Sequence, residues 1–315
     1  MGTKPKISLV IPVFNEEDVI SELLRRIEAV ARVNRERFDL EVIMVDDGSI
    51  DESVEMILKV QSELEIEIIQ LSRNFGHQAA VMAGIAKSHG DAVVIMDADL
   101  QDPPELILEL VKIWEQGFHV VYGKRISRAG ESYFKKISAS VFYNFLRWLT
   151  DVEIPLDTGD FRLIDRKVVN SLTSMNEKSL FIRGLIAWMG FKQCPMEYQR
   201  EARYAGETKY PLKKMVALAA DAILAFSEKP LRLISKIGLS IFLIAVSTSV
   251  FVLLAPLYTT EYQAPGWLSL MLVLLTFGGF QVLCLGVIGS YVLRIYRQTK
   301  NRPIYIVMDE FKKIG

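Results

Sequence analysis

Five short apolar runs, each stopping abruptly at a polar cluster, constrain this chain more than any other feature of it. They are 7–13, 40–45, 66–71, 92–96 and 119–122. The first stops at Asn15 and Glu16, the second at Asp46-Asp47-Gly48-Ser49. The third runs into Ser72-Arg73-Asn74-Phe75-Gly76-His77-Gln78, the fourth into Asp97-Ala98-Asp99-Leu100-Gln101-Asp102, and the fifth into Gly123-Lys124-Arg125. Segments with helical apolar spacing follow the first four, at about 18–33, 53–64, 79–88 and 105–116. The last is opened by Pro103-Pro104, where a missing N–H costs nothing. Short strands alternating with helices over short links predict a parallel, doubly wound α/β sheet. Such sheets bind ligands outside the carboxyl ends of their strands. One polar cluster there is an ordinary solvated loop; five gathered at one edge predict a site.

The fourth cluster carries the sharpest chemistry. In extended backbone, residues two apart face the same way, so Asp97, Asp99 and Gln101 could present oxygen ligands to one side. Oxygen-only ligand sets suit Mg2+ or Mn2+ together with substrate phosphates. The alternative is an acidic turn with Asp102 near the positive end of the following helix. An apolar strand leading directly into the acids favours metal and phosphate.

Composition closes other routes. A net charge of −1 over 315 residues gives no bulk basic character for nucleic acid. Cys194 and Cys284 make neither a disulfide framework nor a zinc pattern. Met1 to Lys6 leads straight into the first strand without a signal-peptide layout. No Gly-x-Gly-x-x-Gly follows that strand, and no Gly-x-x-x-x-Gly-Lys-Ser/Thr occurs. A nucleotide would therefore bind through side chains, with Asp46 or Asp47 accepting from base or ribose.

The apolar excess lies toward the C-terminus. Residues 237–257 and 267–293 contain no charged side chain, and each exceeds the ~18 apolar residues that indicate a span. Lys229, Arg232 and Lys236 precede the first; Arg294, Arg297, Lys300 and Arg302 follow the second; the connection lacks Lys and Arg. The positive-inside rule puts both flanks and the N-terminal domain in the cytoplasm. Before the spans, Leu212, Met215, Val216, Ala219, Ile223 and Phe226 form an apolar stripe. It fits an interfacial amphipathic helix, or a helix packed on the soluble domain. The segment 131–149 is helical by spacing, packed in the core or facing the membrane. An acidic loop, 157–163, then enters a strand, followed by a helix at 180–188, a strand at 193–200 and a basic loop at 201–209. The resulting organisation is a catalytic domain, 1–210, an amphipathic helix, 211–229, and a membrane domain, 230–315, with two spans and a cytoplasmic tail.

Taken in order, Ile11-Pro12-Val13-Phe14-Asn15-Glu16, Val45-Asp46-Asp47-Gly48-Ser49, Arg73-Asn74-Phe75-Gly76-His77-Gln78, the Asp97–Glu105 segment and Gly159-Asp160-Phe161-Arg162-Leu163 resemble the family-2 glycosyltransferases of the GT-A (Rossmann-like) fold. Within these the chain is most similar to the polyisoprenyl-phosphate glycosyltransferases, the dolichol-phosphate mannose synthases and bactoprenol glucosyltransferases. The resemblance covers nearly the whole chain, and the two spans match the bactoprenol type. It implies that Pro12, Val13, Asn15, Glu16, Asp46, Asp47, Gly76, Gln78, Asp97 and Ala98 line the nucleotide site. Asp97, Asp99 and Gln101 would surround a Mg2+ or Mn2+ ion and the diphosphate. Arg125, Arg128 and Lys209 would face an acceptor phosphate, and Asp157 and Asp160 lie where inverting relatives carry their base.

The implied reaction is inverting transfer of a sugar, glucose from UDP-glucose by preference, onto undecaprenyl phosphate in the inner membrane. GDP-mannose and UDP-linked aminoarabinose derivatives remain open as donors. A phosphate monoester with a second pKa near ~6 arrives mostly as a dianion, so Asp157 is expected to be essential for positioning as much as for proton removal. Membrane lipid, a homo-oligomeric assembly and a downstream flippase are the expected partners. A processive polysaccharide synthase is a rival, but Asn144-Phe145-Leu146-Arg147-Trp148 precedes the Asp157–Asp160 region, where that family's Gln-x-x-Arg-Trp motif follows it. A non-catalytic nucleotide-sugar sensor is the other rival.

Overall fold

The computed structural model describes residues 4–126, 158–178, 180–201, 229–254 and 267–313. The chain forms two units, one holding all the described strands and the other the two long C-terminal helices. In the first unit the elements are β1 (Lys6–Val13), α1 (Glu17–Val33), β2 (Asp39–Asp46), α2 (Ser53–Lys59), β3 (Glu65–Leu71), α3 (His77–Lys87), β4 (Ala92–Ile95), a 3₁₀ turn at Pro104–Leu106, α4 (Ile107–Trp114), β5 (Val120–Arg125), β6 (Thr158–Asp165), α5 (Arg166–Ser174), α6 (Ile182–Trp188), β7 (Gln193–Tyr198) and β8 (Val307–Lys313). Each of the five strands and four helices expected before residue 120 or at it is present, with α2 ending earlier, at Lys59.

The sheet has the order β7-β5-β6-β4-β1-β2-β3-β8, a mixed, Rossmann-like GT-A arrangement. Strands β1 to β5 and β7 run one way; β6 and β8 oppose them. The reversal at β6 has a local cause. Thr158 pairs with Lys124 and Ile164 with Val120, so β6 enters at the edge where β5 ends. An entry there must run antiparallel, and it delivers Thr158 and Asp160 to the carboxyl edge.

Helix α1 buries Val19, Ile20, Leu23, Leu24, Ile27 and Val30, the spacing of a single stripe. Helix α3 lies closer to the sheet than a larger side chain allows: a Cβ on Gly84 would sit 2.4 Å from Val10 Cγ1. Burying nearly all the apolar residues of β1–β4 at essentially zero exposure fixes each strand's end, and so the position of each polar cluster beyond it.

Helix α5 and strand β8 are additions that apolar spacing did not announce. Helix α5 is opened by Asp165, whose carboxylate accepts from Lys167 N at 2.9 Å. Strand β8 corrects the reading of residues after the second helix as a tail of the membrane unit. It pairs antiparallel with β3, Ile66 opposite Lys313 and Gln70 opposite Asp309, which covers an otherwise open edge.

In the second unit, α7 spans Lys229–Leu254 and α8 spans Trp267–Thr299. Both extend beyond the uncharged stretches, because helical hydrogen bonding does not stop where charge begins; α8 carries Arg294 and Arg297 within it. Among the described residues, one segment, Phe277–Thr299, has the length and mean hydropathy, 1.5, of a membrane span. Two spans are not established by these helices. The expected helix at 131–149, all but the last residue of the one expected at 211–229, and Arg128, Asp157 and Lys209 lie outside the described residues.

Candidate functional site

The loops after β1, β2 and β3 fasten one another. Asn15, at φ 55°, donates its N–H to Ser49 Oγ at 3.0 Å and accepts from Ile50 N through Oδ1 at 2.9 Å. Glu16 N donates to Ser53 Oγ at 2.9 Å. Asp47 N donates to Val13 O at 2.8 Å, and the Asp47 carboxylate accepts from Phe75 N at 2.7 Å and Gly76 N at 2.9 Å. Burial pushes the Asp47 carboxyl up, and those two N–H groups partly oppose it. Gly48 has φ +71°, and a Cβ on it would lie 2.6 Å from the Arg73 backbone carbonyl carbon, so only glycine fits.

This geometry separates the two carboxylates expected to meet base or ribose. Asp47 is occupied in holding the β3 loop. Asp46 accepts from Ser49 N at 3.0 Å through Oδ1, while its Oδ2 is buried without a hydrogen-bond partner. Pro12 and Val13 are buried under the same edge, and Gly76, at φ +101°, precedes α3.

The acidic centre lies beyond β4. Ligand atoms of His77, Asp97 and Asp160 all fall within 4.8 Å of one another. His77 Nε2 is 3.5 Å from Asp97 Oδ1 and 3.2 Å from Asp160 Oδ2. Asp97 Oδ1 is buried and has no hydrogen-bond partner. Burial pushes the Asp97 carboxyl up to about 6; His77 opposes the rise, and Asp160, Asp102 and Asp99 add to it. Burial also disfavours charge on His77, but the Asp160 hydrogen bond and the charges of Asp97 and Asp160 outweigh it and raise its pKa.

Asp160 is held differently. Arg183 Nε and Nη2 reach its two oxygens at 2.7 and 3.0 Å, and Gln78 Nε2 donates to it at 3.3 Å. Burial works against the carboxylate, yet His77 and Arg183 keep its pKa well below the usual range. Asp160 is therefore a fixed anion, a poor proton acceptor. Gln78 Oε1 also accepts from Ile182 N at 3.2 Å, tying α3 to α6.

The alternation expected for Asp97, Asp99 and Gln101 breaks at Leu100, which has φ 57°. The backbone turns there, and Gln101 N donates back to Asp99 Oδ1 at 3.2 Å. Ala98 is buried. The ligand-competent group at Asp97 thus includes an imidazole and a distant carboxylate. Asp99 lies 4.0 Å from Arg200 Nη2, and Arg200 Nε is 3.6 Å from Asp102. The Tyr198 hydroxyl donates to Asp102 Oδ1, and burial pushes both pKa values up. Arg125, at the end of β5, has a buried Nε without a hydrogen-bond partner. It packs so close to Gly159 that a Cβ there would be 2.5 Å from its Nη2. Arg26 braces the rim, bonding Glu105 at 2.6 and 2.9 Å and Glu201 at 3.0 Å.

His77, Arg183, Tyr198 and Arg200 were not among the site residues expected from the sequence. His77 stood between Gly76 and Gln78 and was legible there. The other three come from distant elements and carry no local signal. The centre fits a divalent cation: two carboxylates and an imidazole converge, and one buried oxygen lacks a donor.

The model for "Glycosyl transferase family 2" matches residues 8–173. The uncharacterized glycosyltransferase YkcC of Bacillus subtilis is 48% identical over 99% of this chain and 96% of its own length. The bactoprenol glucosyl transferase of Shigella phage SfV is 35% identical over 98% of this chain and 100% of its own length. Among solved structures, glucosyl-3-phosphoglycerate synthase from Mycobacterium tuberculosis, in complex with Mn2+, UDP-glucose and phosphoglyceric acid, superposes with a TM-score of 0.45. It is 21% identical, covering 70% of this chain and 78% of that one.

Proposed function

The chain belongs to glycosyl transferase family 2, and from that premise we propose that it moves glucose from UDP-glucose to a polyisoprenyl phosphate at the cytoplasmic face of a membrane. The observation that carries a diphosphate-linked donor is the buried Asp97 oxygen, without a hydrogen-bond donor, beside His77 and Asp160 at the carboxyl edge. The glucosyl donor and lipid acceptor are supported by the near-full-length similarity to a bactoprenol glucosyl transferase.

In this reading Pro12, Val13, Asn15, Glu16, Asp46, Gly76, Gln78 and Ala98 form the nucleotide wall, while Asp47 holds that wall together. Asp97, Asp99 and Gln101 surround the diphosphate, with His77 and Asp160 beside Asp97. His77, Asp97 and Asp160 would hold a Mg2+ or Mn2+ ion, which when bound would supply positive charge against the leaving diphosphate. Arg125, Arg128 and Lys209 orient the acceptor phosphate and offset repulsion between two anionic substrates. The acceptor dianion attacks the anomeric carbon directly, with inversion. Its ionisation removes the need for a strong base, so Asp157 orients it. Helices α7 and α8 both cross the membrane, and their basic flanks keep the catalytic unit on the cytoplasmic side, near the lipid.

The test is transfer of radiolabelled sugar to undecaprenyl phosphate, with UDP-glucose, UDP-galactose, UDP-N-acetylglucosamine or GDP-mannose, each with Mg2+ or Mn2+ and with EDTA. A chloroform-soluble product from UDP-glucose, lost with EDTA and in Asp99→Ala, is expected. Product from GDP-mannose alone overturns the donor. Tight nucleotide binding without lipid product from any donor overturns the reaction.

A further inference from the structure

A second group of ligand-type side chains sits at the opposite end of the sheet, where the strands begin. Glu41 is the third residue of β2, Glu67 the third of β3, and His89 lies in the link between α3 and β4. The pairing sets Glu41 against Glu65 and Ile43 against Glu67, so Glu41 and Glu67 are diagonal neighbours on one face. A carboxylate oxygen of each and a ring nitrogen of His89 lie within 4.8 Å of one another. Both glutamates are buried, at 3% and 6% exposure. The His89 side chain is 64% exposed, leaving an entry path.

The carboxylates are unequal. Glu41 is oriented by a relay: Gly90 N donates to Ser8 Oγ at 2.8 Å, and Ser8 Oγ donates to Glu41 Oε2 at 2.7 Å. Its Oε1 is 3.1 Å from Lys6 Nζ and 3.4 Å from His89 Nδ1. Glu67 Oε2 is buried with no hydrogen-bond donor. Its nearest cation, Lys312 Nζ, stands 3.9 Å away and is shared with Glu65 at 4.0 Å. A buried carboxylate oxygen without a donor is costly, and a second carboxylate beside it adds repulsion. Lys6 and Lys312 are both partly exposed, at 39% and 56%, so each can swing into water.

We propose that Glu41, Glu67 and His89 form a second divalent-cation site, separate from the catalytic edge, selective for an ion that accepts imidazole nitrogen. Two carboxylates with one imidazole suit Zn2+ or Mn2+ over Mg2+ or Ca2+. The Ser8 hydroxyl supplies the hydrogen bond that orients a ligating carboxylate. An ion here joins β2, β3 and the α3–β4 link, and takes from Lys312 its hold on Glu67. The proposal does not depend on the transfer reaction.

The experiment is equilibrium dialysis of the full chain in detergent against Zn2+, in an Asp97→Asn background that removes the catalytic cluster's central ligand. The expected result is one retained equivalent of Zn2+, with affinity falling about tenfold or more in Glu67→Gln and in His89→Ala. Because His89 is exposed, its substitution leaves the fold intact, and unchanged melting of that variant without metal confirms this. Zn2+ affinity unaltered by His89→Ala, or no Zn2+ retained in the Asp97→Asn protein, overturns the site.

Discussion

Asp97 and Asp160 show how two carboxylates in one cluster are set to opposite tasks. Asp97 is driven up to about 6 by burial, whereas Asp160 is driven well below the usual range by His77 and Arg183. The signs differ in consequence. For Asp97 the folded value lies above the unfolded one, so its ionisation destabilises the protein progressively as pH rises from about 4 to about 6, and fully above that. Asp97→Asn removes the penalty. In metal-free buffer it should melt higher than the parent at pH 8, by no more than about 3 kcal/mol, and show little difference at pH 4. Denaturant midpoints across that range check this. For Asp160 the stabilisation is present above its unfolded value near ~3.8 and is lost as pH falls toward its folded one. Arg183→Met leaves the buried Asp160 carboxylate without its guanidinium partner, with only His77 and Gln78 beside it, and should cost about 3 kcal/mol. Adding Asp160→Asn should recover much of that loss, and a double-mutant cycle reads the coupling; additive losses mean the pair contributes little.

At the scale of elements, the site is a set of strand ends held by neighbouring loops. Asn15, Ser49, Ser53 and Asp47 take part in hydrogen bonds that cross from one strand end to the next, so the ends of β1, β2 and β3 are tied together. Strand β8 has a comparable bracing role at the far edge. Besides its ladder to β3, Lys313 donates to the carbonyls of Leu58, at 2.9 Å, and Val60, at the end of α2, where a cation offsets the negative end of a helix. Lys87 joins Glu310 at 2.7 Å from α3. Deleting residues 306–315 should therefore lower the melting temperature by at least about 4 °C and increase self-association through the bared β3 edge. Differential scanning fluorimetry with light scattering measures both; an unchanged profile means the strand does not support the sheet.

Across the whole molecule, a sheet-bearing unit is combined with two long helices rich in apolar residues. If α7 and α8 both cross a membrane, their basic flanks lie on one side. Lys236→Cys and Lys300→Cys, each in a Cys194→Ser, Cys284→Ser background, should resist an impermeant thiol reagent in intact cells and react once the membrane is opened; labelling on opposite sides means a single crossing. The sequence by itself determined the alternation of strands and helices, the edge where polar clusters collect, and the family, because a buried strand must be apolar and must end where its polar residues begin. It did not determine which clusters meet. Asp160 reaches Asp97, and Arg183 reaches Asp160, because β6 enters the sheet antiparallel between β4 and β5 and α6 follows it. Asp99 and Gln101 part from the expected alternation because the backbone turns at Leu100. Strand β8 was illegible as an edge because its residues are exposed on both faces, so no apolar alternation marks it. Local spacing records what each segment buries, whereas contacts between distant segments depend on strand order and direction, which tertiary packing decided.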